Sequence, residues 1–263
     1  MKTAQLLTKI KEKKEFAGLS DEVVSELLKE YSKKHTLPDR KFSPKEEKVI
    51  VKEIRSNLRK VTGMFQFNRK NRKKLLEENK ISELLRTHSS TRERICFYPK
   101  LKKKISSLKI NSILDLGCGL NPIFLSSKKI RYLASDIRQD ELELIKRYFR
   151  KKRINGKTFV CDLRRIPSNL PRADLCIIFK VLDIIDDKSH RISEKIIEKI
   201  PCDKILVSFA TKKLSGKSMN DPKRIWFEKL LEKFKMNYKT FSSENEVFYL
   251  AGRNKKKSRT AGN

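Results

Sequence analysis

The stretch that most constrains the fold is S-I-L-D-L-G-C-G-L-N-P at residues 112–122. Its apolar run ends on an acid and then a glycine-x-glycine turn, which is typical of a buried parallel strand that turns sharply at its carboxyl end. Gly117 and Gly119 carry no side chain, so backbone N–H groups there can approach a ligand closely. The stretch therefore predicts an α/β fold with a cofactor cradle at the end of a central strand.

The cradle suits S-adenosylmethionine better than a dinucleotide. The dinucleotide fingerprint G-x-G-x-x-G requires a third glycine where this chain has Pro122. Asp115 precedes the first glycine, and a carboxylate repels a pyrophosphate but attracts ammonium and sulfonium groups. An ordinary glycine turn between a strand and a loop would show the same local pattern, so the prediction needs a second signal.

Two further acids at the ends of predicted strands supply that signal. Residues 131–135 end on Asp136, where a carboxylate can accept hydrogen bonds from both hydroxyls of a ribose. Residues 157–161 end on Asp162, where an acid can accept from an adenine amino group. Each acid taken alone is more often a helix cap or a turn residue. Three acids at three successive strand ends together predict a cofactor site.

The remaining predicted strands complete a seven-stranded sheet. Residues 174–179 and 204–209 are buried strands, and residues 237–241 and 246–251 form a closing antiparallel pair. Lys180 follows the fourth strand at the sheet edge where substrates meet cofactors in open α/β folds. This order is that of the class I, Rossmann-like, S-adenosylmethionine-dependent methyltransferases. A helix is expected to begin near Pro222 and pack on this sheet.

The first hundred residues carry apolar side chains at helical spacing, so the fold class is α/β with an all-α amino-terminal domain. The clearest start signal is Ser43, Pro44 and Glu46, which form a capping box with proline at the first helical position; Gly63 ends that helix. We expect three parts: a helical RNA-docking domain (1–108), a methyltransferase domain (109–252) and a basic, disordered tail (253–263). Deletion of residues 1 to about 80 is expected to spare cofactor binding and to reduce methylation of ribosomal RNA greatly.

The charge of the chain points to a polyanionic partner. Lysine and arginine number 64 against 32 acids, which gives a net charge of +32. Such an excess favours binding to nucleic acid phosphates, although a generally lysine-rich proteome would produce it too. No apolar stretch is long enough to span a membrane and no signal peptide is visible. We expect a monomeric cytoplasmic protein with no membrane partner.

The cysteines and histidines do not predict a metal site. The five cysteines lack C-x-x-C pairing, and the three histidines are scattered along the chain. We expect the cysteines to be small core residues in a reducing compartment, without disulfides.

Arg94 is a candidate ligand of the cofactor's carboxylate. Ser90 and Glu93 read as a second capping box, which would place Arg92 and Arg94 in the first helical turn. Arginine is disfavoured there by the helix dipole, so a nearby anion would explain it. A guanidinium can bind a carboxylate with two hydrogen bonds. The alternative is a surface arginine that contacts phosphate.

Separated motifs resemble one family, the 16S rRNA guanine-N7 methyltransferases associated with aminoglycoside resistance. They are H-S-S-T-R-E-R-I at 88–95, D-L-G-C-G-L-N-P at 115–122, I-F-K-V-L at 178–182, S-F-A-T-K-K-L-S-G at 208–216 and W-F-E at 226–228. The resemblance implies methylation of a decoding-site guanine in small-subunit rRNA, either as RNA or within a 30S-type subunit. The cofactor residues would be Arg94, Asp115, Gly117, Gly119, Asn121, Asp136, Ile137, Asp162, Leu163 and Phe179. Lys180, Ser208 and Thr211 would act on the substrate side.

The chain departs from the family pattern on the substrate side. Asp183 and Ala210 stand where family members have proline, and residues 217–223 replace a longer glycine-rich basic insert. Methyl transfer is therefore better supported than the nucleotide. Another RNA nucleotide, or a protein or small molecule, stays open as the substrate. A non-catalytic RNA-binding descendant also stays open, although the intact cradle argues against it.

Overall fold

The computed structural model describes residues 2–35, 42–62, 71–212 and 223–253. Several predictions lie outside these residues. They are the helix end at Gly63, the part of the 208–216 motif after residue 212, the insert at 217–222 with the helix start near Pro222, and the tail from residue 254.

A seven-stranded sheet forms the centre of the protein. Its strands are β1 (Ser112–Leu116), β2 (Arg131–Asp136), β3 (Gly156–Val160), β4 (Ala173–Phe179), β5 (Cys202–Ala210), β6 (Met236–Ser242) and β7 (Glu246–Arg253). The order across the sheet is β3-β2-β1-β4-β5-β7-β6, and β7 runs antiparallel to both β5 and β6. The predicted fold class is confirmed. Because the strand order across the sheet reverses between the parallel strands β1 and β4, their carboxyl ends border a crevice.

The described helices lie before the sheet and on both of its faces. They are α1 (Lys2–Lys11), α2 (Asp21–Lys34), α3 (Pro44–Thr62), α4 (Arg72–Glu77), α5 (Ile81–Arg86), α6 (Ser89–Arg94), α7 (Tyr98–Ser106), α8 (Pro122–Leu125), α9 (Gln139–Lys152), α10 (Leu182–Ile185), α11 (Arg191–Lys199) and α12 (Ile225–Lys233). A 3₁₀ turn spans Leu163–Arg165. Side chains of β1 alternate between two apolar cores, with Ile113 on the face covered by α9 and Leu114 on the face covered by α11 and α12.

The two predicted helix starts had different outcomes. At α3, the Ser43 N–H donates to Glu46 Oε2 at 2.7 Å and the Glu46 N–H donates to Ser43 Oγ at 3.3 Å, so this capping box is confirmed. At α6 the prediction was wrong, because the helix is capped at His88 without a side-chain hydrogen bond. Ser90 instead accepts a hydrogen bond from Arg94, which lies in the last helical turn.

The amino-terminal helices divide between two cores. Helices α1–α3 enclose their own apolar cluster, which includes Ile10, Val24, Ile54 and Leu58. Side chains of α4, α5 and α7 instead join the core on one face of the sheet. The change of core therefore falls between residues 62 and 71, whereas the sequence suggested a boundary at residue 108.

A buried ion pair fastens α4 to the sheet region. Arg72 donates from Nη1 to Glu141 Oε1 on α9 at 2.8 Å, from Nε to Thr87 Oγ1 at 2.7 Å, and from Nη2 to the Thr87 carbonyl at 2.7 Å. Both charged side chains are buried. Such a pair contributes little more stability than apolar residues of similar size would. Removal of one partner is costly, because the other charge is then buried without a counterion.

We expect Arg72→Ala to lower the free energy of unfolding by about 3–5 kcal/mol, because Glu141 would stay buried without its cation. Chemical denaturation measures the change. Lys74→Ala is the matched control, since Lys74 on the same helix makes only an exposed contact with Glu78 at 3.8 Å and should change stability little. Equal losses in both variants would contradict the role given to the buried pair.

Candidate active site

A cleft opens at the carboxyl ends of β1, β2 and β4. The space within it and at its open mouth, solvent included, amounts to about 810 Å³. The predicted residues that line it are Gly117, Gly119, Asn121, Asp136, Ile137, Asp162, Leu163, Phe179 and Lys180. Arg94, Asp115, Ser208 and Thr211 do not line it. The first three of these lie buried nearby.

The glycine turn after β1 has a backbone that only glycine adopts without strain. Gly117 and Gly119 have φ angles of +69° and +47°. A Cβ on Gly117 would lie 2.7 Å from Val181 Cγ2, and one on Gly119 would lie 3.0 Å from His88 Nε2. The turn therefore presents backbone to the cleft at a place where a side chain would not fit.

Asp136 at the end of β2 holds this turn in place. Its Oδ2 accepts from the Gly119 N–H at 3.0 Å, and its Oδ1 accepts from the Arg138 N–H at 3.0 Å. Burial, followed by the negative charge of Glu141, raises the pKa of Asp136 well above its ordinary value. The carboxyl group thus lies at the cleft between the glycine turn and the loop after β2, at the position predicted for a ribose partner.

Asp162 lines the cleft but is engaged by arginine. Its carboxylate accepts from the Arg164 N–H at 3.1 Å, from Arg164 Nη2 at 2.6 Å and from Arg165 Nη1 at 3.1 Å. Burial would raise the pKa of Asp162, but the Arg164 hydrogen bond and charge lower it overall. The residue caps the 3₁₀ turn, as the alternative sequence interpretation held, and its contact with adenine stays a prediction.

Asp115 lies directly beneath the glycine turn and is fully buried. Its Oδ2 accepts from the Tyr132 hydroxyl at 2.6 Å, while Oδ1 makes no hydrogen bond to the described part of the chain. Burial raises the pKa of Asp115 to about 7, against the opposing effects of the Tyr132 hydrogen bond and the Arg94 charge. Asp115 is thus an acid under the cradle rather than on its surface.

Arg94 is joined to a carboxylate of the protein itself. Its side chain is 1% exposed, and Nε donates to Glu246 Oε1 at 2.7 Å. Nη1 donates to Asn121 Oδ1 and Nη2 to Ser90 Oγ, each at 2.7 Å. Burial alone would lower the pKa of Arg94, but Glu246 more than offsets it and raises that pKa. The anion beside Arg94 in the structure is Glu246. Binding of the cofactor's carboxylate by Arg94 stays a prediction.

Glu246 was not predicted from the sequence as a site residue. This carboxylate at the start of β7 is buried and also accepts from Ser208 Oγ at 2.7 Å. The one available signal was an acid at the head of an otherwise apolar strand. Its partner Arg94 lies 152 residues away in the chain, so no local pattern could pair them.

Lys180 connects this network to the cleft. The residue has a φ of +57°, and its N–H donates to the Ser208 carbonyl at 2.9 Å. Its Nζ pairs with Glu93 and lies 3.7 Å from Glu246 Oε1. A lysine held between two carboxylates at the cleft wall can orient a polar ligand there.

Thr211 lies farther out, beyond the end of β5. Its N–H donates to the Asn245 carbonyl at 3.0 Å. Its role stays a prediction.

The amino-terminal helices contribute to the cleft, and the expectation that deleting residues 1 to about 80 would spare cofactor binding stays a prediction. Val61 and Thr62 at the end of α3 line the cleft. The Ser20 N–H donates to the Ile137 carbonyl at 3.0 Å, in the loop after Asp136. Glu30 of α2 pairs with Arg165 at 2.6 Å, next to Asp162. Both acid-bearing loops therefore rest on the helices.

The five cysteines are free, and only Cys96 is exposed. Within residues 2–35, 42–62, 71–212 and 223–253, no group of three or more histidine, cysteine and acidic side chains could hold a metal ion. In the same ranges, no helix is both long and apolar enough to cross a membrane.

Asp115 should make stability depend on pH. The folded carboxyl keeps its proton up to about pH 7, whereas the unfolded one releases it near 3.8, so folding binds a proton between these values. Between them, the free energy of unfolding should fall with rising pH by up to about 1.4 kcal/mol per unit. Asp115→Asn should lack this component in denaturation measured from pH 4 to 7. The exposed Asp203→Asn should follow the wild-type curve, and an Asp115→Asn curve parallel to wild type would contradict the assignment.

Comparison with known proteins identifies relatives over most of the chain. A 16S rRNA (guanine(1405)-N(7))-methyltransferase of Serratia marcescens is 26% identical over 228 residues, which cover 84% of this chain and 87% of the relative. A protein of the same name from Micromonospora rosea is 28% identical over 139 residues, half of each chain.

Solved structures share the fold. The 16S rRNA methylase RmtB superposes with a TM-score of 0.78 at 24% identity, covering 97% of this chain and 99% of RmtB. The 16S rRNA methyltransferase RmtF, solved in complex with S-adenosyl-L-homocysteine, gives a TM-score of 0.79 at 23% identity and covers 96% of this chain and 98% of RmtF.

The family model described as "Ribosomal RNA methyltransferase (FmrO)" matches residues 45–246, from α3 to the start of β7. This range contains the glycine turn, Asp136, Lys180 and the Arg94–Glu246 pair. The chain therefore belongs to the FmrO family of ribosomal RNA methyltransferases.

Proposed function

We propose that this protein transfers a methyl group from S-adenosylmethionine to N7 of a decoding-site guanine in 16S rRNA. The corresponding guanine, 1405, is named in the relative from Serratia marcescens. One observation carries the proposal: the glycine turn, Asp136 and Lys180 meet in one cleft at the carboxyl edge of the sheet. In a chain of this family, the glycine turn and Asp136 would bind the nucleoside of the cofactor, and Lys180 would provide a cation for the substrate.

The cleft fits the proposed cofactor. The positive-φ glycine turn leaves room for a ligand that a Cβ would exclude, and Asp136 stands where ribose hydroxyls can donate. Ile137 and Leu163 line the same part of the cleft and are apolar enough to border a base. When bound, S-adenosylmethionine supplies the electrophilic methyl group. The residues that hold it are therefore the turn, Asp136 and these two apolar side chains.

The chemistry requires alignment more than proton transfer. Guanine N7 carries an exposed lone pair at neutral pH, so its attack needs no general base. Catalysis then comes from positioning and from exclusion of water. The base must leave its stack to reach an enclosed cleft. Lys180, held by Glu93 and Glu246, stands at the cleft wall and would orient the base there.

RNA docking is proposed for the amino-terminal helices, residues 1–108. Helix α3 exposes Lys45, Lys48, Lys52 and Lys60. The net charge of +32 supports a phosphate-binding surface whose affinity falls steeply with salt. Helices α4–α7 would dock RNA while packing on the sheet. The proposed partner is small-subunit rRNA or a 30S-type subunit, and the proposed acting form is a monomer in the cytoplasm.

Asp136→Ala should weaken binding of S-adenosylmethionine and its demethylated product. A charged hydrogen bond contributes about 1.5–3 kcal/mol, so the dissociation constant should rise roughly 10- to 150-fold. Calorimetry measures both ligands. Asp203→Ala is the control, because Asp203 is exposed at the opposite end of β5. Undetectable binding of either ligand to wild type would contradict the proposed cofactor, and an unchanged dissociation constant would contradict the role of Asp136.

The product should be N7-methylguanosine at one site in 16S rRNA. Wild-type protein, cofactor and unmethylated 30S subunits or naked 16S rRNA are incubated, and the RNA is treated with borohydride and aniline. An N7-methylated guanine carries a fixed positive charge, which makes the chain prone to cleavage at that base. We expect one new cleavage, at the decoding site, which primer extension maps. A methyl group on an adenine or a cytosine, without guanine cleavage, would favour another RNA nucleotide. No RNA methylation would favour a protein or small-molecule substrate.

Lys180→Ala serves as the site control in the same assay. It should slow methylation more than it weakens cofactor binding, because its ammonium faces the substrate side. Lys188→Ala, an exposed change in the loop between α10 and α11, should retain the wild-type rate.

A further inference from the structure

Arg224, just before α12, joins separate segments on the substrate side. Its Nη2 donates to Asp183 Oδ2 and to the Ala210 carbonyl, each at 2.9 Å. Its backbone N–H donates to the Tyr249 hydroxyl of β7 at 2.9 Å, and its guanidinium lies 5.4 Å from the centre of the Phe209 ring. The side chain is 11% exposed. One arginine thus connects the turn after β4 to the end of β5 and to the middle of β7.

Both acceptors of this guanidinium lie near Lys180. Asp183 lies three residues after Lys180 in α10, and Ala210 lies two residues after Ser208, whose carbonyl accepts from the Lys180 N–H. Lys180 itself has a positive φ, which a residue other than glycine rarely adopts unless the surrounding contacts hold it there. The guanidinium therefore ties the segment that follows Lys180 to the end of β5.

We propose that Arg224 is a positioning residue that holds the Lys180 turn against the end of β5. It acts through Asp183 and Ala210 and makes no contact with cofactor. The proposal rests on the function proposed above for Lys180. An arginine near a nucleic-acid site could instead bind a phosphate directly, and the experiment separates the two roles.

Four variants test the proposal: Arg224→Ala, Arg224→Lys, Asp183→Asn, and the charge-swapped Asp183→Arg/Arg224→Asp. Each is assayed for kcat and KM with 30S subunits and for the dissociation constant of S-adenosylhomocysteine. Misplacement of a reacting group costs up to about 100-fold, so Arg224→Ala should lower kcat about 10- to 100-fold. The KM for 30S and the cofactor affinity should change less than about threefold. Arg224→Lys should recover only part of the loss, because an ammonium lacks the planar fork.

The charge-swapped variant distinguishes a tether from a direct contact between Arg224 and an RNA phosphate. A tether predicts that the swap recovers part of kcat relative to Arg224→Ala, since the pair with residue 183 is re-formed with opposite polarity while the hydrogen bond to the Ala210 carbonyl is lost. A phosphate contact predicts a raised KM, unchanged kcat and no rescue, and this result overturns the proposal. Arg191→Ala, an exposed arginine on α11, controls for loss of charge. Wild-type kcat in Arg224→Ala would also overturn it.

Hydrogen exchange provides a readout that does not depend on substrate. Amides of residues 180–186 should exchange faster in Arg224→Ala than in wild type or Arg191→Ala, while α9 amides stay unchanged. Unaltered exchange at 180–186 overturns the tether even if activity falls. Faster exchange together with no RNA methylation by wild type would leave the tether in place and refute the proposed function instead. Asp183→Asn removes the charge of the ion pair but keeps the shape of the side chain. It therefore tests the same contact if Arg224→Ala does not fold.

Discussion

The active-site side of the protein depends on one buried ion pair, Arg94 with Glu246. Neither charge could lie in this core alone, because an unpaired buried charge costs several kcal/mol. Once paired, Arg94 orders Asn121 at the edge of the glycine turn, and Glu246 orders Ser208 and faces Lys180. The pair therefore links the helix before the sheet, the cofactor turn and the substrate-side strand ends into one rigid arrangement.

The helices proposed to dock RNA and the cleft share structural elements. The loops that carry Asp136 and Asp162 contact the amino-terminal helices through the Ser20 N–H and through Glu30. The end of α3 forms part of the cleft wall. A ligand on those helices and a ligand in the cleft would therefore act on the same loops, and any effect of one on the affinity for the other is reciprocal. In the proposed function, this arrangement couples recognition of RNA to occupancy of the cofactor site.

Several site residues act by holding others. Asp115 binds Tyr132 of β2 beneath the turn, Asp162 accepts hydrogen bonds from Arg164, and Arg224 pairs with Asp183 near Lys180. The proposed N7 methylation needs a fixed geometry and little proton transfer, so a site rich in positioning contacts suits it.

The sequence by itself determined the sheet, the cradle and the two acids at its rim, because these depend on local patterns: apolar runs, glycine spacing and an acid at each strand end. It also determined the capping box of α3, which spans four residues. Only the tertiary structure decided that Arg94 pairs with Glu246, that Ser90 does not cap α6, and that α4, α5 and α7 join the sheet's core. These features join residues far apart in the chain. A buried charge needs a counterion, and here that counterion is close in space but far away in the sequence.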